Sequence, residues 1–397
     1  MRILQLHNDH QSLGGAPEVM EHEAGLLRRA GHIVEQYRLP PAEELGLSPL
    51  RAAAKAVWNV EATRDVARLI TEFGPDVAHV HTPFPLMSPA VFRTAVGMGV
   101  PTVTTLHSYR YSCIAATCFR DGHVCEDCVG KRLKLPGIRH RCYHSSLGGS
   151  TALTASLLLH RQLGTLHHKI DRFISLTAFG KRLLVRDGLP EDKIIVKPNS
   201  MADPGEPTGQ VDPPYVAIAA RLIDVKGIET LLRAWPHVTP GVALKIAGDG
   251  PLRDAVEQAA AGDRSIEYLG WVGEAEVGRL MAGAQAMIVP SEWYEGLPLV
   301  ILRSLSYGTP LVASDLENIC EDVIGDGAGV AFAVGNAASL AAALSSIVTD
   351  RGDWLARRDR ARQSYLSRYT PEQDVRSLEG IYAEVIAARS AQGRSAQ

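Results

Sequence analysis

The stretch SEWYEGLPLVILRSLSYG, residues 291–308, carries residue types and spacings that indicate chemistry. Glu295 stands directly before a Gly-Leu-Pro turn, and an apolar run at helical spacing follows the turn. The first backbone N–H groups of a helix have no partner inside the helix and can bind an anion. Glu295 therefore has two interpretations. It caps the helix, or it accepts hydrogen bonds from sugar hydroxyls while the helix start holds a phosphate.

Two cations lie near the end of an earlier predicted strand. Arg221 and Lys226 stand five residues apart in AARLIDVKGIETLL, residues 219–232. A fork-shaped guanidinium and an ammonium at one strand end suit a diphosphate, because both neutralise phosphate oxygens. Pairs of surface cations are also common in proteins, so this spacing alone is a weak signal.

Glycine-rich turns follow two further strands. In AGDGPL, residues 247–252, Gly248 and Gly250 allow close approach of the backbone, and Pro251 suits the first turn of a helix. LGWVGE, residues 269–274, ends another strand at the same predicted edge of the sheet. These turns predict a ligand-binding edge, and their alternative interpretation is purely structural.

Short apolar runs rich in β-branched residues alternate with longer amphipathic runs, which is typical of parallel α/β layers. The predicted strands are Ile3–Leu6, Ile33–Tyr37, Val77–His81, Thr102–Leu106, Phe173–Leu176, Ile194–Val196, Val216–Ala219, Ala243–Ala247, Ile266–Leu269, Ala286–Val289 and Leu311–Ala313. The predicted helices are Ile228–Trp235, Leu252–Ala260, Glu274–Met281, Leu297–Tyr307 and Pro371–Arg389.

A chain of 397 residues is long for one core, so we expect two domains. A stretch rich in Pro, Gly and Asp lies between the two series of strands and predicts a linker over 201–214. The predicted domains are 1–200 and 215–369, with 370–397 as a helix that packs back on the first domain. Two doubly wound domains would face each other across a cleft at the carboxyl ends of their strands.

Together these residues resemble the retaining glycosyltransferases of family 4, which have the GT-B fold of two Rossmann-like domains. The donor-side resemblance rests on Arg221, Lys226, 248–251 and the Glu-Gly-Leu-Pro sequence at 295–298. GGAPEVM (14–20), TTLHSYRYSC (104–113), SLTAFGKRLL (175–184) and VKPNSM (196–201) extend it over nearly the whole chain.

The resemblance implies a role for each matching position. Arg221 and Lys226 neutralise the departing nucleoside diphosphate, Glu295 holds hydroxyls of the transferred sugar, and His107 faces the sugar. As an alternative, His107 is a hydrogen-bonded core histidine. The remaining implied donor-binding positions are Gly14, Gly15, Gly248, Gly250, Trp271, Val272, Gly296, Leu297 and Arg303.

Arg303 departs from the family pattern, which places a second glutamate there to accept hydrogen bonds from the ribose. Arginine has donors only. Three accounts are open: the side chain turns away, it meets a negative group on the donor or Glu295, or the protein has lost turnover and serves as a partner subunit.

The implied reaction moves a hexosyl group from a UDP- or GDP-sugar to an acceptor hydroxyl with retention of configuration. Positioning and stabilisation of the departing diphosphate would supply most of the catalysis. Because two cations and a helix start hold the diphosphate, no catalytic metal is required in this interpretation.

Five of the six cysteines lie between 113 and 142, and CEDC carries the Cys-x2-Cys spacing of a zinc half-site. We expect either a structural zinc or free thiols. The predicted ligands are Cys113, Cys125, Cys128 and Cys142, with Cys118, His123, His140 and His144 as substitutes. The region also resembles an insertion found in a subgroup of these transferases.

Charge is unevenly distributed although the net charge is only −3. Residues 129–172 hold eight Lys and Arg, one acidic residue and five His. This stretch is either a solvated face or a patch for anionic lipid headgroups or an anionic acceptor. The first residues predict a strand instead of a secretory signal, so we expect a cytoplasmic protein, peripheral at a membrane or free of it.

The expected partners are a nucleotide sugar and an acceptor that is a small molecule, a glycan or a lipid-linked compound, with no nucleic acid. Two rival functions compete. One is a non-catalytic nucleotide-sugar-binding subunit, suggested by Arg303. The other is a different GT-B enzyme, such as an epimerase or a phosphorylase; no lysine-anchored cofactor motif of a phosphorylase is present in the sequence.

Overall fold

A computed structural model describes residues 1–9, 15–206 and 213–395, with the side chains of 322, 323 and 392–395 left out. Gly14 and residues 207–212 of the predicted linker lie outside the described residues. The chain divides into two compact units. The first comprises 1–120, 125–198 and 372–397, and the second comprises 121–124 and 199–371.

The first series of elements alternates strands and helices up to residue 196. The strands are β1 (Arg2–Asn8), β2 (Ile33–Leu39), β3 (Val77–Thr82), β4 (Thr102–Leu106), β5 (Phe119–Arg120), β6 (His123–Val124), β7 (Arg172–Ser175) and β8 (Ile194–Val196). The helices are α1 (Gly15–Arg29), α2 (Pro49–Val57), α3 (Val60–Phe73), α4 (Ala90–Gly97), α5 (Leu135–Arg139), α6 (Leu147–Gln162), α7 (Thr165–His168) and α8 (Ala178–Arg186).

The sheet of the first unit is parallel and has the order β2-β1-β3-β4-β7-β8. β1, β3 and β4 are buried almost throughout, as expected for strands covered by helices on both faces. α3 begins at the N-cap Asn59, whose side chain accepts from the N–H of Ala62, and ends at Gly74 in the left-handed conformation.

The second series occupies residues 215–368. Its strands are β9 (Tyr215–Ala219), β10 (Ala243–Ala247), β11 (Ile266–Gly270), β12 (Met287–Val289), β13 (Leu311–Ser314) and β14 (Gly329–Phe332). Its helices are α9 (Ile228–Ala234), α10 (Arg253–Gly262), α11 (Glu274–Gly283), α12 (Leu299–Ser306), α13 (Glu317–Ile319), α14 (Ala337–Thr349) and α15 (Arg351–Arg368).

The second sheet is also parallel, in the order β11-β10-β9-β12-β13-β14. This is the doubly wound order in which the first strand lies at the centre and the chain then grows outward on both sides. β14 has no counterpart among the predicted strands, because a four-residue segment that begins with glycine carries little strand signal.

The last helix, α16 (Pro371–Ser395), packs on the sheet of the first unit. Leu378, Ile381, Tyr382 and Val385 join a buried cluster that contains Ile3 of β1. Fully buried aliphatic and aromatic side chains each contribute roughly 1.5–3 kcal/mol. In the described part of the chain, every helix is too short or too polar to cross a bilayer.

Candidate active site

The strand order of the second sheet reverses between β9 and β12, which are neighbours. Loop 220–227 leaves the carboxyl end of β9, and loop 290–298 leaves that of β12. Open α/β sheets bind ligands just outside such a reversal, because the two loops diverge there and leave a crevice. Arg221, Lys226 and Glu295 all lie on these two loops.

Two glycines allow the loops to lie against their neighbours. A Cβ on Gly227 would lie 1.9 Å from the carbonyl oxygen of Pro290, and a Cβ on Gly248 would lie 1.8 Å from that of Ala220. Both glycines have positive φ, 68° and 140°. Any side chain at either position would therefore push apart the loops that carry the site.

Lys226 and Glu295 lie at the centre of the candidate site. The Lys226 ammonium lies 2.6 Å from Oε2 of Glu295, and the hydroxyl of Ser291 donates to Oε1. The side chains are only 17% and 12% exposed. The amide of Asn318 donates to the backbone carbonyl of Glu295 at 2.6 Å, which fixes the loop. The carboxylate is thus oriented by a cation and a hydroxyl.

Arg221 differs from Lys226 because its side chain is exposed, and in the described part of the chain its guanidinium has no recorded hydrogen bond or ion pair. Trp271, which follows β11, is 77% exposed, while Val272 and Gly250 are half-buried. An exposed guanidinium and an exposed indole are available for a ligand with phosphate groups and an aromatic base.

Helix α12 begins at Leu299, two residues later than predicted, because Pro298 has extended backbone geometry and serves as the N-cap. Pro298 supplies no side-chain cap. Within the described residues, the N–H groups of Gly296 and Leu297 make no hydrogen bond to another backbone group. These donors stay available for an anion.

Arg303 lies on α12, half-buried, and its guanidinium donates to Oε1 of Glu274 at 3.0 Å. Glu274 begins α11 and is 83% exposed. None of the three accounts of Arg303 named Glu274. The structure therefore shows a partner for Arg303 that was not predicted.

His107 follows β4 in the first unit and is half-buried. Its Nε2 lies 3.1 Å from Nδ1 of His81, and the two rings are nearly parallel, at 15° with centroids 5.3 Å apart. Burial lowers the pKa of His107 to about 3, so the imidazole is neutral near pH 7. A neutral imidazole can accept or donate a hydrogen bond but carries no charge to offer a phosphate.

The buried residues behind His107 were missed by sequence reasoning. They are Glu23 on α1, His79 and His81 on β3, and Lys197 after β8. One signal was present: His-Val-His on a strand places both imidazoles on the same face, because side chains alternate along a strand. Nothing in the sequence indicated which glutamate or lysine would meet them.

These buried histidines predict acid-sensitive folding. Burial lowers the pKa of His79 and His81 well below 6.5, that of His107 to about 3 and that of His160 to about 4. The unfolded chain binds protons at these histidines below pH 6.5 and the folded chain does not, so stability falls as pH falls. At one pH unit below 6.5, each of these histidines lowers the free energy of unfolding by about 1.4 kcal/mol. Glu23 opposes this trend, because burial raises its pKa to about 7.

From these groups, the free energy of unfolding should therefore drop by about 4 kcal/mol between pH 7.5 and pH 5.5, after the opposing Glu23 contribution is subtracted. Urea unfolding at the two pH values measures it. An unchanged or increased free energy of unfolding at pH 5.5 would contradict the buried, neutral state of these histidines.

The structure leaves the predicted zinc site of the cysteines untested. Among the described residues, the group of potential metal ligands with all atoms within 4.8 Å of one another is Glu23, His79 and His81. Within the cysteine-rich stretch, Cys118 donates a hydrogen bond to the sulfur of Cys113 and lowers the pKa of Cys113 to about 6. Zinc binding by Cys113, Cys125, Cys128 and Cys142 stays a prediction, which metal analysis of the purified protein tests.

Comparison with known proteins gives matches to both halves of the chain. Residues 13–201 match the family described as Glycosyltransferase Family 4, and residues 213–350 match Glycosyl transferases group 1.

Two curated relatives differ in the part that they cover. A glycogen synthase of Mycobacterium tuberculosis is 33% identical over 187 residues, which is 46% of this chain and 43% of that protein. The chain thus matches less than half the length of that relative. A phosphatidyl-myo-inositol mannosyltransferase of Mycolicibacterium smegmatis is 26% identical over 374 residues, 89% of this chain and 84% of that protein.

A solved structure shares the fold. The Anabaena protein Alr3699/HepE, crystallised with UDP, superposes with a TM-score of 0.68 at 16% identity, over 97% of this chain and 100% of that one. This likeness confirms the predicted GT-B fold of two Rossmann-like domains. The first half of the chain is therefore similar to glycosyltransferases of family 4, the second half is similar to glycosyl transferases of group 1, and the fold is the GT-B fold.

Proposed function

We propose that this protein is a retaining hexosyltransferase that uses a UDP- or GDP-sugar and an acceptor hydroxyl, in the synthesis of a cell-surface polysaccharide, a glycolipid or a glycosylated metabolite. The observation that supports it best lies in the second unit. At the reversal of its strand order, Arg221 is exposed and unpaired among the described residues, and Lys226 orients Glu295. Cations beside an oriented carboxylate suit a diphosphate joined to a sugar.

The proposed chemistry rests on charge and position. Arg221, Lys226 and the N–H groups of Gly296 and Leu297 stabilise the negative charge that develops on the departing diphosphate. Glu295 accepts hydrogen bonds from sugar hydroxyls and holds the anomeric carbon in place. The proposal assigns no protein nucleophile. As the family resemblance implies, the acceptor would attack on the face that the diphosphate leaves, which retains the configuration.

The donor nucleotide is proposed as UDP or GDP, with UDP favoured by one neighbour. The Anabaena protein HepE has been crystallised with UDP and with UDP-glucose. An exposed Trp271 at the end of β11 offers a ring on which a base can stack.

The acceptor is proposed to be anionic or lipid-linked. The basic stretch 129–172 exposes Lys131 and Arg132, and it also exposes three leucines, Leu133, Leu135 and Leu147, at 49%, 59% and 52%. Leucines beside cations suit the surface of an anionic membrane, which attracts the charges and takes up the apolar side chains. The proposal is a cytoplasmic protein in peripheral contact with the inner face of a membrane.

Thermal unfolding with a panel of UDP- and GDP-hexoses tests the proposed function. We expect one donor at millimolar concentration to raise the midpoint of unfolding and to be hydrolysed slowly without an acceptor. Because ligand binding to the folded state must raise the midpoint, no shift with any nucleotide sugar would overturn the proposal. A raised midpoint of unfolding without hydrolysis of the donor would favour the alternative function, a non-catalytic nucleotide-sugar-binding subunit. Arg303 supports that alternative because it replaces the second glutamate of the family pattern.

Arg303→Glu should tighten binding of the donor by about thirtyfold. A carboxylate at this position accepts hydrogen bonds from two ribose hydroxyls. Each of these hydrogen bonds contributes a net free energy of binding of about 1 kcal/mol. The substitution also releases Glu274 from its ion pair, which costs little because Glu274 is 83% exposed. Titration calorimetry with the nucleotide sugar measures the affinity.

Arg303→Ala is the control for this prediction, because it removes the guanidinium without adding an acceptor. Equal affinity of the Arg303→Glu and Arg303→Ala variants would show that position 303 does not contact the ribose.

A further inference from the structure

A chain of buried polar side chains leads away from His107 into the first unit. His107 Nε2 lies 3.1 Å from His81 Nδ1, and His81 Nε2 lies 3.5 Å from Oε2 of Glu23. Oε1 of Glu23 accepts from the ammonium of Lys197 at 3.0 Å, and Lys197 also donates to Asp374 on α16. Glu23, His81, Lys197 and Asp374 are nearly or fully buried. A polar chain of this kind is costly to bury unless its members satisfy one another.

The contact between Glu23 and His81 joins two buried polar atoms that need a hydrogen-bond partner. Oε2 of Glu23 and Nε2 of His81 are both buried, and in the described part of the chain neither has a hydrogen-bond partner within the usual distance. They face each other at 3.5 Å. Since buried polar atoms are almost always paired, each atom is the partner available to the other.

A metal site is a poorer interpretation of the same residues. Glu23, His79 and His81 could offer three ligand atoms within 4.8 Å of one another. However, both ring nitrogens of His79 already lie 2.8 Å from a hydroxyl, those of Tyr382 and Thr105. The Lys197 ammonium beside Glu23 would also repel a cation. The geometry therefore suits proton placement better than metal binding.

We propose that Glu23 and His81 are positioning residues that determine which ring nitrogen of His107 carries the proton. An ionised Glu23 accepts the proton of His81 Nε2–H, which leaves the lone pair of His81 Nδ1 to accept from His107 Nε2–H. Nδ1 of His107 then has a free lone pair. No hydrogen bond to that nitrogen is recorded among the described residues.

The consequence for the reaction rests on the proposed function. A His107 Nδ1 without a proton accepts a hydrogen bond from a hydroxyl of the transferred sugar or of the acceptor. The same nitrogen with a proton can only donate. Glu23 and His81 contact neither substrate in this proposal and act through His107.

Protonation of Glu23 reverses the direction of the hydrogen bonds from Glu23 through His81 to His107. The number of protons on each imidazole does not change. Glu23 then donates to His81 Nε2, His81 donates from Nδ1 to His107 Nε2, and His107 carries its proton on Nδ1. Burial raises the pKa of Glu23 to about 7, with Lys197 opposing and Asp374 adding to the shift. Among the described residues, the titratable and charged groups around these side chains are His7 on β1, His22 and Glu23 on α1, His79 and His81 on β3, His107 after β4, Lys197 after β8, and Asp374 and Tyr382 on α16.

Glu23→Gln tests the proposal because its orientation is fixed by a neighbour. Lys197 has only donors, so it holds the carbonyl oxygen of the new side chain, and the NH2 group faces His81 Nε2. The variant therefore imposes the reversed direction of these hydrogen bonds at every pH. Glu21→Gln is the matched control, because Glu21 lies on the same helix but is 50% exposed and pairs with Arg38 at 3.5 Å.

The primary measurement is the ¹⁵N NMR spectrum of the histidine side chains, which reports the protonated ring nitrogen without any substrate. At pH 8 we expect wild type and Glu21→Gln to carry the His107 proton on Nε2, and Glu23→Gln to carry it on Nδ1. Wild type with the proton on Nδ1 at pH 8, or Glu23→Gln with an unchanged tautomer, would overturn the proposal. Should Glu23→Gln fail to fold, titration of wild type from pH 8 to pH 6 decides, since the tautomer must change as Glu23 gains its proton.

The kinetic measurement separates this proposal from the proposed function. We expect Glu23→Gln to lower kcat by about 10- to 100-fold, as loss of an orienting partner does at other sites, while the donor Kd changes less than about twofold. Wild-type kcat should rise through about pH 7, and the variant should lack this rise. Wild-type kcat in the variant would overturn the effect on the reaction. A protein that shows the tautomer change but binds no nucleotide sugar would refute the proposed function and leave the proton placement standing.

Discussion

Arg221→Ala is expected to lower kcat by about 10³-fold and to leave the fold intact. The guanidinium is exposed and has no recorded partner among the described residues, so its removal costs the folded state little. At the departing diphosphate it would supply a charge-assisted, bidentate contact that strengthens as negative charge develops. Initial rates at saturating donor measure the effect, and circular dichroism checks the fold.

Arg264→Ala is the matched control for Arg221→Ala. Arg264 is also exposed, but it precedes β11 and lies at the amino-terminal edge of the second sheet, opposite the loops that carry the site. We expect wild-type kcat in this variant. Near-normal kcat in Arg221→Ala, or an equal loss of kcat in both variants, would show that Arg221 does not contact the diphosphate.

Glu295→Gln is expected to lower kcat/KM by about 10²-fold. The substitution keeps the shape of the side chain but removes the charge that holds Lys226 at 2.6 Å, and it replaces one acceptor oxygen with a donor. Lys226 then loses its fixed position beside the diphosphate, and one sugar hydroxyl loses its acceptor. Steady-state kinetics with the donor identified by the unfolding panel measures the loss.

Glu292→Gln provides the control in the same loop. Glu292 accepts from the hydroxyl of Thr230 at 2.6 Å, a contact that the glutamine oxygen can keep. We expect less than about a threefold change in kcat/KM for this variant, because Glu292 makes a structural contact. A similar loss in both variants would mean that the loop tolerates no change of charge and that Glu295 has no particular role.

Much of the fold was determined by local patterns. Apolar β-branched runs that alternate with amphipathic runs predicted eleven strands, and each lies within two residues of an observed strand. The sequence also placed Arg221, Lys226 and Glu295 just after strand ends, which is where open α/β sheets bind ligands. These features follow from short-range chemistry, since side-chain period and turn residues act within a few positions of the chain.

Only the tertiary structure decided which loops are neighbours. The order β11-β10-β9-β12-β13-β14 brings the loops after β9 and β12 together, and thereby Lys226 to Glu295. The pairing of Arg303 with Glu274 and the burial of Glu23 behind His81 also came from packing between distant segments. The reason is physical: periodicity specifies which face of an element is buried, whereas the partner across that face depends on the whole sheet order and the fit of its core.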